Sequence, residues 1–259
     1  MHRAGLSDRQ FRIVELLETG GKMSVNELAE HFNVTPTTIR RELIQLEAED
    51  LIRRSHGYAQ TVDRKDNQPI STFEYRRHSR EAEKRLIAKR AMEYIKPCDT
   101  IIIDSGTTNL ALAEALAETE IPELSIVTNS LPVANVLAYK YRVAMTGGII
   151  DSTTMCLIGH DAESYFDNVS ADKVFLGTTG INTAAGLTVI SPFHYNVKRK
   201  MMQSASKVIV LADSAKFKSG GFNVVCSFEP LDVIITVRNE SNSDDMDVLQ
   251  EKGVKFDCI

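Results

Sequence analysis

The sequence predicts an α/β protein of two unlike units: a small helical unit ending in a hairpin, then a larger, mostly parallel α/β unit. Three observations carry this. Residues 1–60 hold three capped helical patterns and then two short extended segments. From residue 81 onward, continuous apolar runs alternate with helical patterns, as in a sheet covered on both faces. Between them, residues 61–80 are polar and aperiodic (Asp63-Arg64-Lys65-Asp66-Asn67-Gln68-Pro69) and read as a linker. The 259 residues, 43% hydrophobic and 25% charged, suit globular units and exclude a disordered chain.

Each element has a local reason. Ser7, with Gln10 three positions on, caps a first helix whose apolar side is Phe11, Ile13, Val14, Leu16 and Leu17. Gly20-Gly21 ends it. Ser24 and Glu27 form a capping box for a second helix with the stripe Leu28, Ala29 and Phe32. Asn33-Val34 turns into Thr35, a cap, and Pro36 takes the first helical position, where its missing N–H is not needed. Ile39, Leu43 and Leu46 form the inner side of that third helix, and Leu51 to Ala59 reads as two extended segments about a turn. In the second unit a helix runs from Glu81 to about Ile95, before Pro97. Ile101-Ile102-Ile103 precedes a helix at about 109–118, and Ser125 to Thr128 precedes one at 131–139. Arg142 to Met145, Val174 to Leu176, Val208 to Leu211 and Val233 to Thr236 are further strands, with a helix near 194–205.

Composition narrows the function classes. Uninterrupted apolar runs reach five residues at most, far short of the roughly twenty needed to span a bilayer, and no secretory signal is expected after Met1-His2-Arg3. Four dispersed cysteines (Cys98, Cys156, Cys226, Cys258) without a Cys-x-x-Cys pair argue against zinc and against a disulfide framework, and fit a reducing cytoplasm. No metal or other cofactor is expected. Net charge is −5, but it is unevenly spread: about −1 over residues 1–60, +4 over 61–90 and −8 beyond.

Two helices, a tight turn between them and a hairpin form a winged helix-turn-helix arrangement, in which the third helix enters the DNA major groove by its N-terminal half. That half offers short polar and cationic groups, Thr35, Thr37, Thr38, Arg40 and Arg41. Glu42, Glu47, Glu49 and Asp50 are expected at the far end, away from the duplex, while Arg53, Arg54 and His56 place donors on the wing for phosphate or the minor groove. The competing reading is that Arg40 and Arg41 pair with glutamates on a solvated helix face.

In the second unit, Asp104-Ser105-Gly106-Thr107-Thr108-Asn109 joins an apolar strand to a helix. Backbone N–H groups at such a helix start, with the hydroxyls of Ser105, Thr107 and Thr108, suit an anion such as phosphate. Asp104 suits the hydroxyl groups of a sugar. Other polar loops follow other strands: Thr128-Asn129-Ser130, Thr146-Gly147-Gly148, Gly177 to Gly180 and Asp213-Ser214-Ala215-Lys216. Lys198 and Lys216 are both expected to meet an anionic effector; Lys198, on a helix, is the one expected to be solvated when considered singly, and Lys216 is the better candidate because it sits beside a strand end. The bland reading of the first loop is an ordinary capped turn.

Val34 to Leu43, Leu46-Glu47 and Leu51 to Gly57 resemble the signature of the DeoR family of bacterial sugar-metabolism repressors. Asp104 to Leu112, Val127 to Asn135, Met145 to Gly148, Asp172 to Gly186, Val197 to Met201 and Leu211 to Phe217 resemble motifs of that family's effector domain. The resemblance covers nearly the whole chain. It implies an effector domain similar to sugar-phosphate isomerases such as ribose-5-phosphate isomerase, and binding of a phosphorylated sugar or sugar alcohol. This chain departs from the family at Glu42 (usually Asp) and at Tyr58 (usually Gly). It departs also at Ile149-Ile150-Asp151, where the family commonly has an arginine, and at Pro192 to Asn196, where it commonly has an acidic residue before Val197.

The expected protein is therefore a cytoplasmic, non-enzymatic regulator with residues 1–60 on operator DNA and residues 81–259 on a phosphosugar. It is expected to act as a homodimer or homotetramer, because paired half-sites need at least two copies. Two alternatives stand beside it. One is an isomerase carrying a DNA-binding head, which would need a positioned base; Asp104 is the one candidate, and residues 190–198 hold no acidic partner. The other is an architectural DNA protein with a purely structural body.

Overall fold

The computed structural model of the protein describes residues 7–48, 51–55, 57–61, 73–217 and 220–259. The chain divides into two units, Met1–Ser79 and Arg80–Ile259.

In the first unit, α1 (Asp8–Gly20), α2 (Val25–His31) and α3 (Pro36–Ala48) enclose a core of Ile13, Val14, Leu17, Leu28, Ile39, Leu43 and Leu46. Both capping boxes form, Ser7 with Gln10 and Ser24 with Glu27. Ser24 does a second job: with Met23 it forms β1 (Met23–Ser24), which pairs antiparallel with β3 (Tyr58–Thr61), itself paired with β2 (Ile52–Ser55). The wing is thus a three-stranded sheet anchored by buried Ile52 and Ala59.

Two expectations need correction here. The stretch 61–80 is not all linker, since Phe73–His78 forms a short helix, α4, with Phe73 and Tyr75 buried and Tyr75 joined to the head core. Glu42 is not at the far end of α3 but at its middle. It is buried and accepts both a 2.9 Å and a 3.0 Å hydrogen bond from Arg9 Nε, tying α1 to α3.

The second unit begins with α5 (Glu81–Met92) and continues as β4 (Thr100–Ile103), α6 (Thr107–Ala117), β5 (Ser125–Thr128), α7 (Leu131–Leu137) and β6 (Arg142–Met145). A hairpin follows, β7 (Ile149–Asp151) and β8 (Cys156–Ile158), then α8 (His160–Tyr165) and β9 (Ala171–Gly177). Next come β10 (Gly180–Asn182), β11 (Gly186–Val189), α9 (Pro192–Gln203) and β12 (Ala205–Leu211). The chain ends with β13 (Asn223–Cys226), β14 (Val233–Thr236), α10 (Ser243–Glu251) and β15 (Phe256–Cys258). Seven strands make one sheet in the order β15-β14-β12-β9-β4-β5-β6, every neighbouring pair parallel. Both faces are covered, and the strands alternate between two cores. Ile101 and Ile103 pack with α5, α6 and α7, whereas Ile102, Val174 and Leu176 pack with residues of α8, α9 and α10. The strand order reverses between β4 and β9, so the crevice at their carboxyl ends is the topological switch point of the sheet. Among the described residues no helix is long and apolar enough to cross a membrane.

Candidate nucleic-acid interface and effector cleft

In the first unit the start of α3 is fixed by Thr35. Its Oγ1 accepts the Thr38 N–H at 3.2 Å and shares a hydrogen with Thr38 Oγ1 at 2.9 Å. Those two threonines are therefore occupied with the cap. Thr37, Arg40 and Arg41 stay exposed on one stripe, and neither arginine forms an ion pair among the described residues. Ile44, one turn further along that stripe and outside the inner side of Ile39, Leu43 and Leu46, is 52% exposed. On the wing, Arg53 is exposed. Arg54 is bound to Glu47, which accepts its Nε–H at 2.7 Å and its backbone N–H at 2.9 Å. Those two bonds hold the Glu47 carboxyl below the usual carboxylate range. His56 lies outside the described residues.

In the second unit, the carboxyl ends of β4 and β9 bring together residues far apart in sequence. Asp104 is only 1% exposed. Its Oδ2 accepts the Gly177 N–H at 2.8 Å and a hydrogen bond from Lys198 Nζ. Lys198 also donates to the Gly177 carbonyl at 2.8 Å, so two of its three hydrogens are used. The expectation of a solvated Lys198 is thus overturned: an ammonium out of water needs a counter-charge, and Asp104 supplies it. Asp104 in turn is more engaged than the sequence suggested.

α6 begins at Thr107, earlier than expected, because Gly106 adopts φ +122° as its N-cap. No side chain caps this helix, so the N–H groups of Thr107, Thr108 and Asn109 have no acceptor within it. Ser105 is buried beside Asp104. Asn109 and Asn129 are buried, each with its Nδ2 bonded to a carbonyl (Ser105 and Leu157) and, among the described residues, its Oδ1 without a partner. Thr146 Oγ1, after β6, is likewise buried and unpartnered. The sequence places Asn109 and Thr146 in polar strand-end loops but does not distinguish their side chains from those of their neighbours.

Gly147 and Gly148 follow Thr146, and the demand for glycine falls on Gly148. It has φ +120°, and a Cβ there would lie 2.5 Å from the Ile158 carbonyl and 3.2 Å from Ala162 Cβ. Lys216 sits on a 3₁₀ turn (Ser214–Phe217) after β12, half-buried, with no hydrogen bond or ion pair from its side chain to the Asp104–Lys198 group among the described residues.

The positions that depart from the family pattern meet each other. His194 Nε2 lies 2.9 Å from Asp151 Oδ2, 3.3 Å from Thr154 Oγ1 and 3.9 Å from Cys156 Sγ. Asp151 also accepts from the Thr153 N–H and the Thr154 hydroxyl, both at 2.9 Å. Burial works to raise the Asp151 pKa, but these hydrogen bonds and His194 bring it below the ordinary value. Burial, then the neighbouring Lys198 ammonium, pushes His194 below its usual range. Burial raises the Cys156 thiol. β8 runs along the loop after β5, with Leu157 N–H donating to the Asn129 carbonyl at 2.8 Å and a bridge between Ser130 and Cys156. This cluster is therefore contiguous with the Asn129 side of the cleft.

Residues 9–65 match a DeoR-like helix-turn-helix domain and residues 79–238 match the DeoR C-terminal sensor domain. The chain is 31% identical over 258 residues to the uncharacterized HTH-type transcriptional regulator YulB of Bacillus subtilis, covering 98% of this chain and 97% of that protein. It is 33% identical over 232 residues to the glycerol-3-phosphate regulon repressor of Escherichia coli K12, covering 89% and 90%. Ribose 5-phosphate isomerase A from Neisseria gonorrhoeae aligns with 52% of this chain and 53% of its own, at 21% identity and a TM-score of 0.39.

Proposed function

The chain belongs to the DeoR family of transcriptional regulators, and on that premise we propose that it represses a sugar or sugar-alcohol catabolic operon under control of a phosphorylated effector. It is a DNA-binding regulator and not an enzyme. Thr37, Arg40 and Arg41 would enter the major groove, with Ile44 available to a thymine methyl. Arg53 would meet phosphate. The phosphate of the effector would lie on the N-terminus of α6, against the N–H groups of Thr107 and Thr108 and the hydroxyls of Ser105 and Thr107. Its hydroxyl groups would meet the remaining Lys198 hydrogen and the amide oxygens of Asn109 and Asn129. Gly106, Gly147 and Gly148 would shape the loops around it, Asp104 would hold Lys198, and Lys216 would close the β12 side. Paired half-sites would require a dimer or tetramer.

The observation that supports this reading most is the convergence of an uncapped helix start, a buried lysine with an unused hydrogen and two unpartnered amide oxygens at the switch point. The experiment is a thermal-shift screen of the full chain against sugar and sugar-alcohol phosphates, with turnover assayed in parallel. The expected result is stabilisation without turnover, about 2.7 kcal/mol at a hundredfold excess over Kd, and its loss in Thr107→Val. Absence of stabilisation by every phosphorylated compound would overturn the effector reading.

A further inference from the structure

The cluster of Asp151, Thr154, Cys156 and His194 adjoins the Asn129 loop of the cleft through the Ser130–Cys156 bridge. Both Asp151 oxygens are held by protein donors, and His194 meets that carboxylate through Nε2. Facing a carboxylate, Nε2 carries the proton, a tautomer assigned from the hydrogen-bond network. In the neutral ring Nδ1 is then an acceptor, and among the described residues it has no hydrogen-bond partner. The charged groups whose fields act on His194 are Lys198, Asp151 and Asp104. Lys198 is already neutralised by Asp104. That leaves the Asp151 carboxylate as the excess charge, beside a ring that burial and Lys198 keep neutral. A ligand hydroxyl can donate to Nδ1. A second anionic group at this end, on the β5 side of the cleft and away from Lys216 after β12, would instead approach Asp151, and like charges repel.

We propose that Asp151, Thr154 and His194 form the hydroxyl-reading, anion-rejecting end of the effector site, so that the effector is a polyhydroxylated monophosphate and neither a bisphosphate nor a phosphorylated sugar acid. This rests on the reading that the effector's phosphate lies on α6. Thr154 and Asp151 are positioning residues that fix the ring; His194 is the group that meets the ligand.

Calorimetric titration of the full chain tests this. The probes are inorganic phosphate, glycerol 3-phosphate, ribose 5-phosphate, fructose 6-phosphate and glucose 6-phosphate. Fructose 1,6-bisphosphate and 6-phosphogluconate are the counterparts that carry a second anionic group. Wild type is expected to bind its best monophosphate about tenfold or more tighter than either counterpart. Asp151→Asn, or Thr154→Val if that variant does not fold, should shrink this ratio about fivefold. His194→Ala should lower the preference for the monophosphate over inorganic phosphate about tenfold and leave inorganic phosphate affinity within twofold. A bisphosphate or sugar acid binding wild type as tightly as every monophosphate would overturn the inference, as would variants with unchanged ratios. If the ratios shift as expected but Thr107→Val leaves phosphate affinity intact, the α6 assignment fails and the specificity cluster survives. Should no phosphate compound bind wild type, both readings fall.

Discussion

An imidazole buried between an ammonium and a carboxylate reports its surroundings through pH. Burial and Lys198 depress the pKa of His194 in the folded chain below the 6.5 of the free side chain, and the pull of Asp151 does not reverse this. In the window below 6.5 the unfolded chain therefore binds a proton that the native chain refuses. Stability rises with pH wherever the unfolded state holds more protons. The His194 contribution is thus intact above 6.5 and is lost as pH falls through that value toward the lower folded pKa. Asp151 titrates in a separate window, below its ordinary 3.8. Urea unfolding at pH 7.5 and 5.5 should show a loss of stability at the lower pH that shrinks in His194→Gln. An equal loss in the variant would mean that the imidazole is not held neutral. Sequence alone could place neither partner, since Asp151 and His194 are forty-three positions apart. Lys198 and Asp104 are ninety-four apart, so the chain offered a lysine on a helix and an aspartate on a turn without the pairing that gives each its role.

At the level of elements, legibility followed the range of the forces that make them. Caps act within three or four residues, so Ser7, Ser24 and Thr35 marked their helices and the hydrogen bonds are present. Continuous apolar strands marked the central sheet, because strands buried on both faces need no alternation. Several elements that the sequence does not mark have their reason elsewhere in the chain. α4 exists because Phe73 and Tyr75 bury, not because its polar sequence favours a helix. β13 is a strand because β11 offers it an edge, with Thr188 facing Val224. The β7–β8 hairpin is similar: its exposed Ile149 and Ile150 give no amphipathic pattern, and its register is set by Asp151 opposite Cys156. This hairpin depends on Gly148. Alanine there needs φ +120° and places a methyl carbon 2.5 Å from the Ile158 carbonyl, so either the hairpin or α8 must shift. Gly148→Ala should destabilise the protein by about 2–4 kcal/mol in denaturant unfolding. Gly147→Ala, whose Cβ would meet only Asp161 Cβ at 3.5 Å, should cost less than half of that. Equal effects would show that the loop, not the packing, sets the requirement.

Over the whole molecule, two activities are assigned to two units, and that division has a measurable consequence. The chain carries −5 overall, with the excess beyond residue 90, so net charge gives no drive toward DNA; affinity must come from a few exposed cations. Arg40→Ala should weaken binding to DNA from the chain's own upstream region by about 1–3 kcal/mol if the guanidinium reads a base. Arg53→Ala should weaken all sequences alike and flatten the salt dependence by about one phosphate contact. Neither should change the thermal shift given by a sugar phosphate, because Arg40 and Arg53 belong to the first unit. Thr107→Val should do the reverse, abolishing the shift while effector-free DNA affinity stays within twofold. A ligand moves a conformational equilibrium only by its differential affinity for two states, so a chain that binds effector equally well with and without operator DNA would have no coupling to transmit. The decisive measurement is therefore reciprocal: effector affinity with operator present and absent, and operator affinity with effector present and absent. The two ratios must be equal, and a ratio of one in both would leave two independent binding units joined by a chain, which the regulatory reading does not survive.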